Sequence, residues 1–160
     1  MRIGQSTDIH RLVTERPLIL GGVKIPHSLG LLGHSDADVL VHAIAEAIIG
    51  ALGKGDLGTH FPDTALKYQG ISSLKILSEV YAMMREQKQV VGNIDALVII
   101  EKPKLIGYID EMRRNVAEVL HCEKGVVNIK ATTGEGLGFV GTEQGAIATA
   151  VVLLVEEEDE

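Results

Sequence analysis

A chain of 160 residues, 46% hydrophobic with 18 glycines and no tryptophan, has room for one domain with a real core and tight turns, and is small enough that oligomerisation is expected. Its formal net charge of −7 excludes a surface built to bind nucleic-acid phosphates non-specifically, so an anionic ligand needs a local device, either a metal ion or a cradle of backbone N–H groups. The single cysteine, Cys122, excludes an intrachain disulfide, suits a reducing compartment, and leaves histidine and carboxylate as ligands for any metal.

The chain starts directly on a strand-like stretch, with no N-terminal hydrophobic targeting segment. Arg2 to Arg11 reads as a first strand. In it Asp8 and His10 stand two residues apart, so both side chains fall on one face and point two metal-type ligands into one volume. Leu18 to Leu20 and Val23 to Ile25 flank Gly21-Gly22, a short hairpin that reads as scaffold.

The most informative stretch is His34 to Gly50, HSDADVLVHAIAEAIIG. From Val39 to Ile49 it is a helical run so apolar that nearly every face is buried. Its polar residues Asp38, His42 and Glu46 are four apart and form one narrow stripe. A buried imidazole between carboxylates needs partners, and a bound cation is one of them. With Asp8 and His10, His42 completes a three-ligand site of nitrogen and oxygen that keeps a position open, as catalytic zinc sites do. The stripe fits equally a core histidine bonded to a neighbour, with both carboxylates facing solvent at an oligomer boundary. Ser35 is the expected N-cap, with Asp38 three residues on as in a capping box, and Asp36 and Asp38 are expected in the first turn.

Gly53 to Thr64, GKGDLGTHFPDT, is a polar loop in which Asp56, His60 and Asp63 could meet a ligand, although turn-forming composition alone explains it as a surface loop. Ser72 to Gln89 predicts an amphipathic helix with Leu74, Leu77, Val80, Tyr81 and Met84 inward. Asn93 to Glu101 predicts a strand stopped at Pro103. Tyr108 to His121 predicts a second helix with Ile109, Met112, Val116, Val119 and Leu120 on one side. Val127 to Ala131 predicts a strand running into Thr132-Thr133-Gly134-Glu135-Gly136-Leu137-Gly138-Phe139. Paired hydroxyls beside flexible glycines can offer donors to phosphate oxygens, and a carboxylate there suits a magnesium ion bridging phosphates, though the order of residues is no Walker motif and a plain glycine-rich turn fits too. The last strand, Ala146 to Val155, is the longest apolar run and is about half the roughly 20 residues that a membrane helix needs. The default expectation is a cytoplasmic protein.

Taken together, RIGQSTDIH, GLLGHSDADVLVHA, GDLGTHFPDT, KPKL and KATTGEGLGF resemble the 2-C-methyl-D-erythritol 2,4-cyclodiphosphate synthases of the non-mevalonate isoprenoid pathway. The five motifs span essentially the whole chain in family order and at family spacing. The resemblance implies an α/β (α+β) fold: a single-domain protomer with a four-stranded mixed sheet covered by helices, assembled as a homotrimer with active sites between subunits. Residues 1–155 form the expected catalytic domain and 156–160 an acidic tail.

The implied reaction is a cyclisation by a phosphorus–oxygen lyase. The 2-phosphate of a cytidine diphosphate-linked methylerythritol attacks the β-phosphorus, CMP leaves, and an eight-membered cyclic diphosphate forms. The resemblance makes Asp8, His10 and His42 ligands of Zn2+ or another divalent transition metal, and Glu135 a ligand of Mg2+ or Mn2+. It makes His34 and Thr133 transition-state stabilisers, and sets Ser35, Asp56, Gly58, Phe61, Pro62 and Asp63 around the methylerythritol phosphate. Lys104, Leu105, Ile106, Ala131, Thr132 and Phe139 fall among the positions that hold the rest of the substrate, the cytidine and its phosphates. The implied partners are this small molecule and two further copies of the chain, with no nucleic acid and no membrane.

The chain also departs from the family pattern. Ser6 replaces glycine, Glu46 and Ala65 replace aspartate, and Gly134 replaces threonine. Thr142 and Gln144 replace an arginine and a glutamate beside a central cavity, so the isoprenoid diphosphate thought to bind there is not carried over. Two rival readings remain: a catalytically silent trimeric binding protein that keeps zinc for structure, and a zinc phosphohydrolase, for which His60 is the only spare group to activate water.

Overall fold

The computed structural model describes residues 1–157. Alternation of inward and outward side chains builds four long or medium strands: β1 (Arg2–Val13), β5 (Gln89–Ile99), β6 (Val127–Thr132) and β7 (Gly145–Glu156). A hairpin, β2 (Leu18–Leu20) with β3 (Val23–Ile25), turns on Gly21 and Gly22. Both glycines have positive φ, as tight hairpin turns require. The main sheet corrects the four-stranded expectation: it has five strands in the order β4-β1-β7-β5-β6, the extra one being β4 (Gly30–Leu31). The reason is length. β1 runs past the start of β7, and its last residues, Leu12 and Val13, pair with Leu31 and Gly30. A two-residue strand carries no periodicity, so nothing in the sequence announced it. Only β5 and β6 run parallel, so the sheet is mixed.

Helix α1 (Val39–Ala51) lies against β1 and β7, and ten of its thirteen residues are buried. Burying Leu40, Ile44 and Ile48 contributes about 2 kcal/mol each. The helix backbone comes so close to β1 that a Cβ built on Gly4 would lie 1.8 Å from the Ala47 carbonyl oxygen. Glycine at position 4 therefore sets the distance between the strand bearing Asp8 and His10 and the helix bearing His42.

The helix begins later than the sequence suggested. Its N-cap is Asp38, whose side chain accepts from the Val41 N–H, so Ser35 is not the cap and neither Asp36 nor Asp38 is in the first turn. Helix α2 (Leu57–His60), a single turn inside the expected loop, is capped by Asp56. Helices α3 (Ser73–Glu86) and α4 (Ile109–Val119) close the core, and α5 (Gly138–Gly141) is one turn before β7. No described helix is long and apolar enough to cross a membrane.

The other sheet face is uncovered in the single chain. Ile3, Ile9 and Val151 point from it at 69%, 55% and 47% exposure. Of the expected acidic tail, Glu156 ends β7 and Glu157 donates its N–H to the Lys88 carbonyl, while residues 158–160 lie outside the described residues.

Candidate metal centre and ligand cleft

The close packing of α1 on β1 brings Asp8, His10 and His42 together. Asp8 Oδ2 lies 3.0 Å from His10 Nε2 and 3.2 Å from His42 Nδ1, and the two imidazole nitrogens are 3.3 Å apart. The other nitrogen of each ring is already committed. His10 Nδ1 is 2.7 Å from the Leu32 carbonyl, to which it can only donate, so Nε2 of the neutral ring carries a lone pair. His42 Nε2 lies 2.9 Å from Ser73 Oγ, whose own hydrogen goes to Asp36 Oδ1. The ring therefore donates to Ser73, and its Nδ1 is a lone pair too.

Three lone pairs thus converge with no hydrogen between them, an arrangement that a cation resolves. Tetrahedral coordination at the usual zinc–nitrogen and zinc–oxygen lengths puts neighbouring ligand atoms about 3.3 Å apart. The three observed separations match it, so the donor set fits a small divalent transition metal. Burial alone would raise the Asp8 carboxyl, but the imidazoles of His10 and His42 beside it outweigh burial and hold the carboxyl far below its usual range. Burial works to lower His10, yet the bond and charge of Asp8 and the Leu32 carbonyl raise it overall.

Sequence reasoning missed Ser73 behind His42 and gave Asp36 only a capping role, while its reading of Asp38 as a cap agrees with the structure. Asp36 accepts from both the N–H and the hydroxyl of Ser73, the buried first residue of α3, and so ties that helix to the loop before α1. Ser35 Oγ also approaches His42 Nε2, at 3.1 Å, and accepts from the Ala37 N–H. Asp38, the upper end of the stripe, is fully buried. It accepts from the N–H groups of Gly21, Gly22 and Val41, which pins the hairpin to the start of α1. Burial pushes its carboxyl up to about 6 against the pull of those bonds. Glu46, for which the sequence offered no role, accepts from Ser6 Oγ on β1 and from the Leu57 N–H at the start of α2. Two of the departures from the family pattern, Ser6 and Glu46, are thus one hydrogen-bonded pair.

The remaining candidates fall into two groups. Beside the triad, His34 donates Nε2–H to the Ala65 carbonyl at 3.1 Å, and Arg16 holds the same loop through the Leu31 and Ser35 carbonyls. Asp56 accepts from Thr59, Gly58 lies in α2, and buried Phe61 meets Tyr68 edge-on ahead of Pro62 and exposed Asp63. His60 Nε2 donates to the Lys54 carbonyl at 2.8 Å.

At the far strands a cleft of about 470 Å³ is lined by Lys104, Leu105, Ile106, Ala131, Thr132 and Thr133, among others. Glu135 is exposed next to it and exchanges hydrogen bonds with the Thr133 hydroxyl. Phe139, 42% exposed, lies apart from the cleft in a hollow with Ile9, His10 and Gly145. The triad and the cleft share one end of the sheet, but β1 and β6 are three strand positions apart, on the order of 14 Å. No recorded hydrogen bond among the described residues joins the two groups.

Residues 1–155 match the YgbB family. Over 152 residues the chain is 58% identical to the 2-C-methyl-D-erythritol 2,4-cyclodiphosphate synthase of Alkaliphilus metalliredigens, covering 95% of this chain and 96% of that protein. Among solved structures, the bifunctional IspDF from Campylobacter jejuni superposes with a TM-score of 0.92 at 39% identity, over 96% of this chain and 42% of that one. The CDP complex of IspF from Plasmodium falciparum superposes with a TM-score of 0.86 at 33% identity, over 98% of this chain and 97% of that one.

Proposed function

The chain belongs to the YgbB family, and from that premise we propose that it converts 4-diphosphocytidyl-2-C-methyl-D-erythritol 2-phosphate to 2-C-methyl-D-erythritol 2,4-cyclodiphosphate with release of CMP, a step of isoprenoid precursor biosynthesis. The observation that carries the reading is the convergence of Asp8, His10 and His42 lone pairs at one end of the sheet that also bears the Lys104–Thr133 cleft. The nucleophile is an anionic phosphate of the substrate itself, so no residue has to generate it. The protein's task is to bring two negatively charged groups together and hold them in line.

In this reading Asp8, His10 and His42 hold zinc, and Glu135 holds Mg2+ or Mn2+. When bound, these ions supply Lewis-acid polarisation and neutralise phosphate charge. The protein's own residues do the rest. Leu105, Ile106, Ala131 and Thr132 form the walls for the cytidine end, and Lys104 offers an ammonium to its phosphates. His34 and Thr133 stabilise the charge that develops as the β-phosphorus is attacked. Ser35, Asp56, Gly58, Phe61, Pro62 and Asp63 grip the methylerythritol phosphate, and Phe139 closes the site beside His10.

Assembly as a homotrimer follows from the same reading. The separation of the two half-sites along one sheet supports a complete site made from the triad side of one copy and the cleft side of the next. The uncovered face with Ile3, Ile9 and Val151 supports the contact that would bring the copies together. The test is chromatographic: protein loaded with zinc and supplied with magnesium releases CMP from this substrate and none from the analogue lacking the 2-phosphate. CMP release from both compounds, or from neither, contradicts the proposal.

A further inference from the structure

The turn after β6 carries a backbone conformation that its own sequence does not favour. Glu135 has φ +54, in the left-handed region, between Gly134 and Gly136. Its side chain is not held by packing, since it is exposed. What brackets it is the Glu101 carboxylate, reaching across from the end of β5. Glu101 Oε2 accepts the Gly134 N–H at 2.9 Å, and Oε1 accepts the Gly136 N–H at 3.3 Å. Each oxygen thus holds one backbone N–H on either side of Glu135. The turn is also seated from beneath, where a Cβ on Gly134 would come within 2.8 Å of the Gly141 nitrogen. Glu101 is half-buried, and its N–H contacts are charge-assisted, the stronger class of hydrogen bond.

We propose that Glu101 is a positioning residue for the reaction: it clamps the Gly134–Gly136 turn so that the Glu135 carboxylate and the Thr133 hydroxyl are presented together to a divalent ion and the phosphates it accompanies. This rests on the reading of Glu135 given above. Each Glu101 oxygen holds one N–H of the turn and keeps a second lone pair, so the experiment has to separate a clamp from a ligand. The clamp acts only on the cleft side of the molecule, so the Asp8, His10 and His42 triad is independent of it.

The test uses E101A and E101Q beside the unaltered protein, all zinc-loaded. Mn2+ binding in the presence of CDP is followed by electron paramagnetic resonance, and amide hydrogen exchange is followed across residues 133–138. E101A is expected to keep full zinc content, exchange its turn amides faster and bind Mn2+ about tenfold more weakly, the scale of losing charge-assisted bonds. E101Q, whose amide oxygen can still accept one of the two N–H groups, is expected between E101A and the unaltered protein on both readouts. In turnover, E101A should need correspondingly more magnesium for half-maximal rate. Loss of Mn2+ binding with unchanged amide exchange would make Glu101 a ligand and overturn the clamp, as would Mn2+ affinity equal to that of the unaltered protein. If the unaltered protein binds no Mn2+ with CDP, the reading of Glu135 fails instead.

Discussion

Each imidazole of the triad is kept in one tautomer by a partner outside it. His10 is fixed by the Leu32 carbonyl and His42 by the chain from Ser73 to Asp36. Such groups set the tautomer and orientation of a metal-bound imidazole, and their loss typically weakens metal affinity by about 10- to 100-fold. Ser73→Ala is therefore expected to lower zinc affinity by about that factor in a chelator competition, while His42→Ala abolishes zinc retention. Unchanged affinity in Ser73→Ala would show that the hydroxyl does not orient the ring. The strand period paired Asp8 with His10 and the polar stripe of the helix marked His42, but it was ligand chemistry and the family motifs that joined them across 32 and 34 positions. The roles of Ser73, Asp36 and Glu101 were not legible in the sequence, since their contacts join residues 31 to 37 positions apart, and no local period encodes such a pairing.

The element that organises the molecule is α1, seated on β1 through Gly4. Adding a single methyl group there forces the helix off the strand. Gly4→Ala is expected to destabilise the metal-free protein by about 3 kcal/mol and to weaken zinc binding with it, because the same displacement separates His42 from Asp8 and His10. Urea unfolding of chelator-treated protein reads the first effect and metal titration the second; an unchanged unfolding midpoint would refute the close contact. The buried character of α1 was plain from its apolar run, but its start was not. Ser35 and Asp38 are both good caps by composition. What decides for Asp38 is a tertiary fact, its two further bonds to the hairpin at Gly21 and Gly22. Likewise the loop around Asp56 gave no hint of its anchor, since the Leu57 N–H is held by Glu46, eleven residues earlier.

For the molecule as a whole, the five-stranded sheet leaves one face bare and puts the triad and the cleft on different strands. The trimeric reading accounts for both. It predicts a solution mass three times the 17.2 kDa of the chain. Val151→Glu, which sets a charge in the middle of the bare face, should shift sedimentation toward the monomer and abolish turnover while leaving the triad able to bind zinc. A fully active monomer would contradict a shared site. The central claim, an intramolecular cyclisation, is tested most directly by phosphorus-31 NMR of the metal-loaded protein with its diphosphocytidyl substrate. The account predicts that the free 2-phosphate resonance disappears in step with the growth of CMP and of two coupled resonances from a cyclic diphosphate, without inorganic phosphate. Release of inorganic phosphate, or of CMP with the 2-phosphate resonance intact, would contradict it.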